Sequence, residues 1–196
     1  YDDFKFDKLI YVVATEQNYH FRVLFKVLKR LKFPFADKCY HFAYGMVNLT
    51  TGKMKSREGN VVDADTLVDD LTKLAEKGIK QRYKTISKKE LGKRSKNIAL
   101  SAIRFYMLKH DPIKDFVFDP IKSISFEGET GPYIQYTHAR IHSIIKKSKQ
   151  KISKADTSLL KYDAETNLIK KLNEFPQLIS KIGENYKLSL MCHYLL

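Results

Sequence analysis

The amino-acid sequence predicts an α/β half followed by an all-α half. Two observations carry this. Between Leu9 and Val47, short continuous apolar runs alternate with a stretch of helical apolar spacing, and from Pro132 onward the apolar residues recur only at three- and four-residue intervals. A third observation makes folding feasible: 43% of the 196 residues are hydrophobic, enough for a packed core.

Taken in order, Leu9–Val13 is an unbroken apolar run, as expected of a buried parallel strand. Asn18 is placed to cap the helix that follows, in which Phe21, Leu24, Phe25, Leu28 and Leu31 share a face until Pro34 ends it. His41–Val47 reads as the next strand. Strand, helix and strand make the βαβ unit of an open α/β sheet, whose ligands lie beyond the C-terminal strand ends. Ala14–Asn18 and the loop from Asn48 to Asn60 would sit there. Asp63 or Asp65 then caps a helix through Leu67, Leu71 and Ala75 that ends at Gly78. Lys80–Lys96 is dense in Lys and Arg, with little periodicity, and reads as a linker or an exposed basic helix. Asn97–Leu108 is amphipathic, Asp111-Pro112 breaks it, and Phe116–Phe118 is a short apolar run. Pro132 suits a first helical position, with Ile134, Thr137, Ile141 and Ile145 as the apolar side. Asn167–Ile182 is helical by the spacing of Leu168, Leu172, Phe175, Ile179 and Ile182, with Pro176 expected to kink or open it. The expected blocks are 1–80, 81–122 and 123–196.

Thirty-six Lys and Arg stand against 22 Asp and Glu, a net charge of +14. That balance points to a polyanionic partner: nucleic acid, an acidic membrane or a phosphorylated ligand. Cys39 and Cys192 are far apart, match no metal-ligand spacing and fit a reducing compartment. No apolar run approaches the roughly 20 residues that span a bilayer. The chain opens on Tyr1 and closes on the apolar Met191–Leu196, so it reads as a piece of a longer protein.

The densest chemistry is Gly52-Lys53-Met54-Lys55-Ser56-Arg57-Glu58-Gly59-Asn60, following the second strand. Glycine frees the backbone and lysine offers a compact charge for phosphate oxygens, so the loop suits gripping a phosphate chain. A solvated turn has the same composition, and spacing does not separate the two readings. Gln17, at the ligand-facing end of the first strand, can donate and accept at once; a ligand-free helix start is the alternative. Tyr133, Tyr136 and Arg140 fall at i, i+3 and i+7 on one helical face, two aromatics beside a guanidinium that can stack bases and hold phosphate. Ordinary tyrosine packing at a domain junction fits them too. His138 and His142 have a metal-ligand spacing but no third ligand nearby, and Lys146 and Lys147 would repel a cation, so no metal site is expected. Gly92-Lys93-Arg94-Ser95 lacks the first glycine of a P-loop and has Arg where Ser or Thr should stand.

These signals line up in the order of one family. Ile10–Phe21 resembles the strand–helix segment of arginyl-tRNA synthetases, and His41–Val47 the strand before their signature loop. Gly52–Val62 resembles their variant of the class I Lys-Met-Ser-Lys-Ser loop. Ser125-Phe126-Glu127-Gly128-Glu129-Thr130-Gly131-Pro132-Tyr133-Ile134-Gln135-Tyr136, then Ala139-Arg140, resembles the opening of their anticodon-binding domain. The resemblance implies the C-terminal half of a Rossmann-like catalytic domain followed by an incomplete helical anticodon-binding bundle. It implies a ligase that makes arginyl-adenylate from arginine and ATP (with Mg2+) and passes arginine to tRNA(Arg). Lys53, Lys55, Ser56 and Arg57 are the implied catalytic residues. Lys53 would stabilise phosphate charge in the transition state, and Ser56 stands where class I enzymes generally carry the second lysine. ATP would meet Lys53, Met54, Gly45, Met46 and Val47; arginine would meet Gln17; tRNA would meet Tyr133, Gln135, Tyr136 and Arg140. The expected setting is the cytoplasm, with no membrane partner and a monomeric parent. No His-x-Gly-His motif is present, so the fragment alone is expected to be inactive. The competing readings are a non-catalytic RNA-binding module derived from a synthetase, and another class I synthetase such as the cysteinyl enzyme.

Overall fold

The computed structural model describes residues 1–49, 63–148 and 156–196. It divides into two compact units, residues 1–61 with 110–118, and residues 62–109 with 119–196. The cut differs from the blocks expected at 80 and 122: the helix after Asp63 belongs with the helices that follow it, and 110–118 returns to the first unit.

The first unit is built on strand β1 (Leu9–Ala14), helix α1 (Asn18–Arg30) and strand β2 (Cys39–Tyr44). β1 and β2 pair in parallel from Leu9↔Cys39 to Ala14↔Tyr44, the expected βαβ unit. Phe21 is the buried residue of α1. Its ring lies 5.0 Å from Tyr11 on β1 and stacks at 4.3 Å on His41 of β2. His41 Nε2 donates to the Val13 carbonyl at 2.9 Å, so this histidine ties the two strands together. Three expectations need correction. β1 is not covered on both faces, because Ile10 and Val12 are exposed on the side that α1 does not occupy. Asn18 is the first helical residue, not the cap: a 3-10 turn, Thr15–Gln17, leads into α1, Gln17 takes the cap position, and no side chain caps it. The helix also stops before Pro34, since Leu31 is its C-cap and Lys32 turns left-handed at φ 57°.

The expected strand His41–Val47 is two strands. β2 stops at Tyr44, and β3 (Val47–Leu49) pairs in parallel with β4 (Phe116–Phe118) instead. Gly45 makes the break. Its N–H donates to the Pro112 carbonyl at 2.7 Å, and a Cβ there would run into the Lys114 backbone and come within 2.6 Å of the Asp115 nitrogen. Apolar continuity could not show this, because the redirecting segment lies more than sixty residues further along the chain.

The second unit begins with α2 (Ala64–Arg82) and α3 (Lys88–Leu108), which pack along one another. Asp63 is the N-cap residue of α2, though its side chain makes no capping bond. Gly78 does not end the helix: Leu71, Ala75 and Ile79 form one buried stripe, and the last of them lies beyond it. Burying Ile79 outweighs the roughly 1 kcal/mol that an interior glycine costs. Of the two readings of Lys80–Lys96, the exposed basic helix holds: it ends α2 and opens α3, with a short turn between them. Ser87 caps α3 by accepting the Glu90 N–H at 3.2 Å. Leu91, Ser95, Ala99, Ala102 and Phe105 then form the buried face. The Ser95 hydroxyl is satisfied by the Leu91 carbonyl at 2.8 Å. Small residues carry most of this face, so it is faint in a hydropathy reading.

A short helix α4 (Pro120–Ser123) is capped by Asp119, whose carboxylate accepts from the Ile121 and Lys122 N–H groups at 3.0 Å each. It leads to α5 (Gly131–Ser148), then α6 (Asp163–Asn185) and α7 (Ser189–Tyr194). Of the apolar side expected on α5, Ile134 is half-buried while Thr137, Ile141 and Ile145 are exposed. On α6, Leu168, Leu172, Phe175 and Ile179 are exposed and Ile182 is buried. The helix assignment runs on through Pro176. The apolar end of the chain packs through Cys192, with α7 lying against α3 and α6.

Candidate functional site: a strand-end crevice and an aromatic–arginine face

In the first unit the parallel pairing decides what comes together. β1 and β2 end side by side at Ala14 and Tyr44. Gln17, three residues past one end, and Gly45, Met46 and Val47, just past the other, therefore share the C-terminal edge of this sheet. Ligands in open α/β sheets bind at that edge. Gln17 is exposed. Met46 is less available than its position implies. Its N–H donates to Asp115 Oδ1 at 2.7 Å, and its carbonyl accepts the Phe116 N–H at 3.1 Å. What Met46 can still offer a planar base is its half-exposed side chain and the second lone pair of its carbonyl. Val47 is committed to the β3–β4 ladder opposite Phe116.

Asp115 is the residue that sequence reading missed. It stiffens the Gly45-Met46 corner through a charge-assisted bond, and only chain return from the second unit brings it there. The lysine-loop residues Lys53, Met54, Lys55, Ser56 and Arg57 lie outside the described residues.

In the second unit, α5 presents the other candidate surface. Thr130 fixes its start: the hydroxyl accepts the Tyr133 N–H at 3.1 Å and donates to the Ser125 carbonyl at 2.5 Å. Gly131 lets that start press on α3, because a Cβ would strike the Ser101 carbonyl and lie 3.1 Å from Phe105 Cβ. Tyr133, Tyr136 and Arg140 are exposed. The Arg140 guanidinium sits 5.6 Å over the Tyr136 ring, a cation–π arrangement that keeps both groups presented. Gln135 is turned elsewhere, donating to the Asn97 carbonyl of α3 at 3.4 Å. The structure thus joins Tyr136 and Arg140 and separates Gln135 from them. His138 and His142 have ring centroids 6.3 Å apart, and no group of three metal-ligating side chains occurs among the described residues.

Residues 1–120 match the family model described as tRNA synthetases class I (R), catalytic domain. The chain belongs to the class I tRNA synthetases.

Residues 134–196 of this synthetase chain match the DALR anticodon binding domain. It is 42% identical over 200 residues to the arginine–tRNA ligase of Treponema pallidum and 44% identical over 200 residues to that of Treponema denticola; in each case 98% of the chain aligns with 34% of the relative. The solved arginyl-tRNA synthetase of Thermus thermophilus superposes with a TM-score of 0.84 at 29% identity, covering 97% of the chain and 31% of that structure. The Plasmodium falciparum enzyme gives 0.78 at 25%, covering 96% and 32%. The synthetase chain therefore spans about a third of the length of the relatives it matches. Its architecture is a partial Rossmann-like catalytic domain joined to a helical anticodon-binding domain. The cysteinyl reading and the decayed-module reading are not favoured, since relatives aligned along nearly the whole chain are named for arginine.

Proposed function

We propose that the chain is part of an arginine–tRNA ligase whose complete form activates arginine with ATP, supplied as its Mg2+ complex, and transfers arginine to tRNA(Arg). The observation that carries this is the identity of 42–44% with arginine–tRNA ligases along 98% of the chain. In the activation step the arginine carboxylate attacks the α-phosphorus of ATP and pyrophosphate leaves; the tRNA terminal hydroxyl then displaces AMP.

The chain's own part in this follows from its charges and edges. Lys53 meets negative charge as it builds on the phosphates, and Lys55 or Arg57 supplies the second cation that Ser56 does not. Gly45, Met46 and Val47 flank the adenine, and Gln17 contacts the arginine. Tyr133, Tyr136 and Arg140 face tRNA, with residues 123–196 as the RNA-facing bundle. Gln135 supports that surface by holding α3. The parent acts as a cytoplasmic monomer with no membrane partner; no helix among the described residues is long and apolar enough to cross one.

The test is aminoacylation by the complete protein with each of the twenty amino acids. Arginine alone should be charged, and charging of another amino acid instead would overturn the reading. The 196-residue chain, lacking a His-x-Gly-His motif, should give no ATP–pyrophosphate exchange.

A further inference from the structure

Gly45 and Met46 carry the chain from β2 to β3, and one distant segment holds them in place. The Gly45 N–H donates to the Pro112 carbonyl at 2.7 Å, the Met46 N–H donates to Asp115 Oδ1 at 2.7 Å, and the Met46 carbonyl accepts the Phe116 N–H at 3.1 Å. Two of these bonds are made by backbone alone and survive any change of side chain. The third depends on a single carboxylate.

That third bond sets the orientation of a peptide plane. The Met46 N–H and the Gly45 carbonyl lie on opposite edges of one rigid trans unit, so fixing the first fixes where the second points. Glycine on the N-terminal side gives this plane little resistance of its own to rotation. A carboxylate acceptor makes a bond roughly twice as strong as a neutral one. The Asp115 side chain is exposed, so burial does not place it. Its backbone does: β4 begins at the next residue, Phe116, which pairs with Val47. A carboxylate would repel a triphosphate. It can stand at this corner because the base, not the phosphates, is the part of ATP assigned to it.

We propose that Asp115 is a positioning residue for ATP: it locks the Gly45–Met46 peptide plane in the orientation that receives the adenine, without touching the nucleotide. The inference rests on the ligase reading above and deepens it with a residue outside both family blocks. The bond is the same before and during reaction at the α-phosphorus. It therefore contributes uniform binding, which moves KM for ATP and leaves kcat in place.

The experiment is aminoacylation by the complete enzyme, with ATP varied at saturating arginine and tRNA(Arg), then arginine varied at saturating ATP. Wild type is compared with Asp115→Ala, Asp115→Asn and Asp119→Ala. The last removes the same charge four residues on, but breaks only the cap of α4. Asp115→Ala should raise KM for ATP roughly tenfold, the lower end of what a hydrogen bond to a charged group contributes. Its kcat and its KM for arginine should stay within about twofold of wild type. Asp115→Asn keeps an acceptor oxygen for the Met46 N–H and should limit the rise to about threefold. Asp119→Ala should keep the wild-type KM for ATP. A wild-type KM for ATP in folded Asp115→Ala overturns the proposal. So does an Asn variant as impaired as the Ala variant, or an equal rise in Asp119→Ala, which would mean that general loosening weakens nucleotide binding. If Asp115→Ala fails to fold by far-UV circular dichroism, Asp115→Asn decides alone: the threefold rise upholds the proposal and an unchanged KM for ATP overturns it. All these outcomes leave the ligase reading standing. That reading fails separately, if the wild-type complete enzyme does not charge tRNA(Arg) with arginine.

Discussion

Gly131→Ala is the sharpest test of how α5 is seated on α3. On helix propensity alone, alanine should stabilise the start of α5, by up to roughly 1 kcal/mol. The packing says the opposite. The added Cβ would overlap the Ser101 carbonyl oxygen, approach its carbon at 2.5 Å and sit 3.1 Å from Phe105 Cβ. The first two are backbone atoms inside α3, so no rotamer change relieves the overlap and the helices must separate. Overpacking costs about 1–3 kcal/mol, and an obstacle made of backbone belongs at the upper end. With a urea m-value of about 2 kcal/mol/M, a loss of ~3 kcal/mol lowers the midpoint by roughly 1.5 M. The assay is urea unfolding followed by far-UV circular dichroism, with Gly78→Ala and Gly183→Ala as controls. Both controls are interior helix positions with open space where the Cβ would go, so each should gain about 0.5–1 kcal/mol. A Gly131→Ala variant as stable as wild type, or more so, would refute the seating of α5 on α3.

In the complete enzyme, Lys53→Ala should lower kcat far more than it raises the KM for arginine, because the proposed contact strengthens in the transition state; equal effects on both would remove Lys53 from that role. Arg140→Ala should weaken tRNA binding and reduce its salt slope by about one, and an unchanged slope would make the Tyr136–Arg140 pair structural. Burial pushes the Cys192 thiol above its ordinary value, against a smaller opposing pull from Lys109. At pH 8 it therefore holds less thiolate than a free cysteine and should react slowly with an alkylating reagent, reaching the free-thiol rate in denaturant; fast labelling of the native chain would contradict its burial.

Local periodicity is enough to read the βαβ unit, the amphipathic half of α3 and the long helices α5 and α6. Those signals reside in residues three or four apart, or in unbroken apolar runs, and need no distant partner. The same holds for the family blocks: Gly52–Val62 and Ser125–Arg140 are contiguous, so their chemistry is visible along the chain. The reading failed wherever a distant segment intervened. Gly45 divides one apolar run into two strands because the 112–116 backbone crosses it, and Asp115 accepts the Met46 N–H from 69 positions away. Gly78 stays helical, and the lysine-rich stretch resolves into helix rather than linker, because each gains a buried stripe only when the two helices meet. Gln135 donates to a carbonyl of α3, a partner the sequence does not show. Residue type and spacing thus establish which chemistry the chain can carry. Which of those groups remain free to use it depends on backbone and side-chain partners that folding brings in from elsewhere, since a hydrogen bond or a Cβ clash acts through distance in space, not along the sequence.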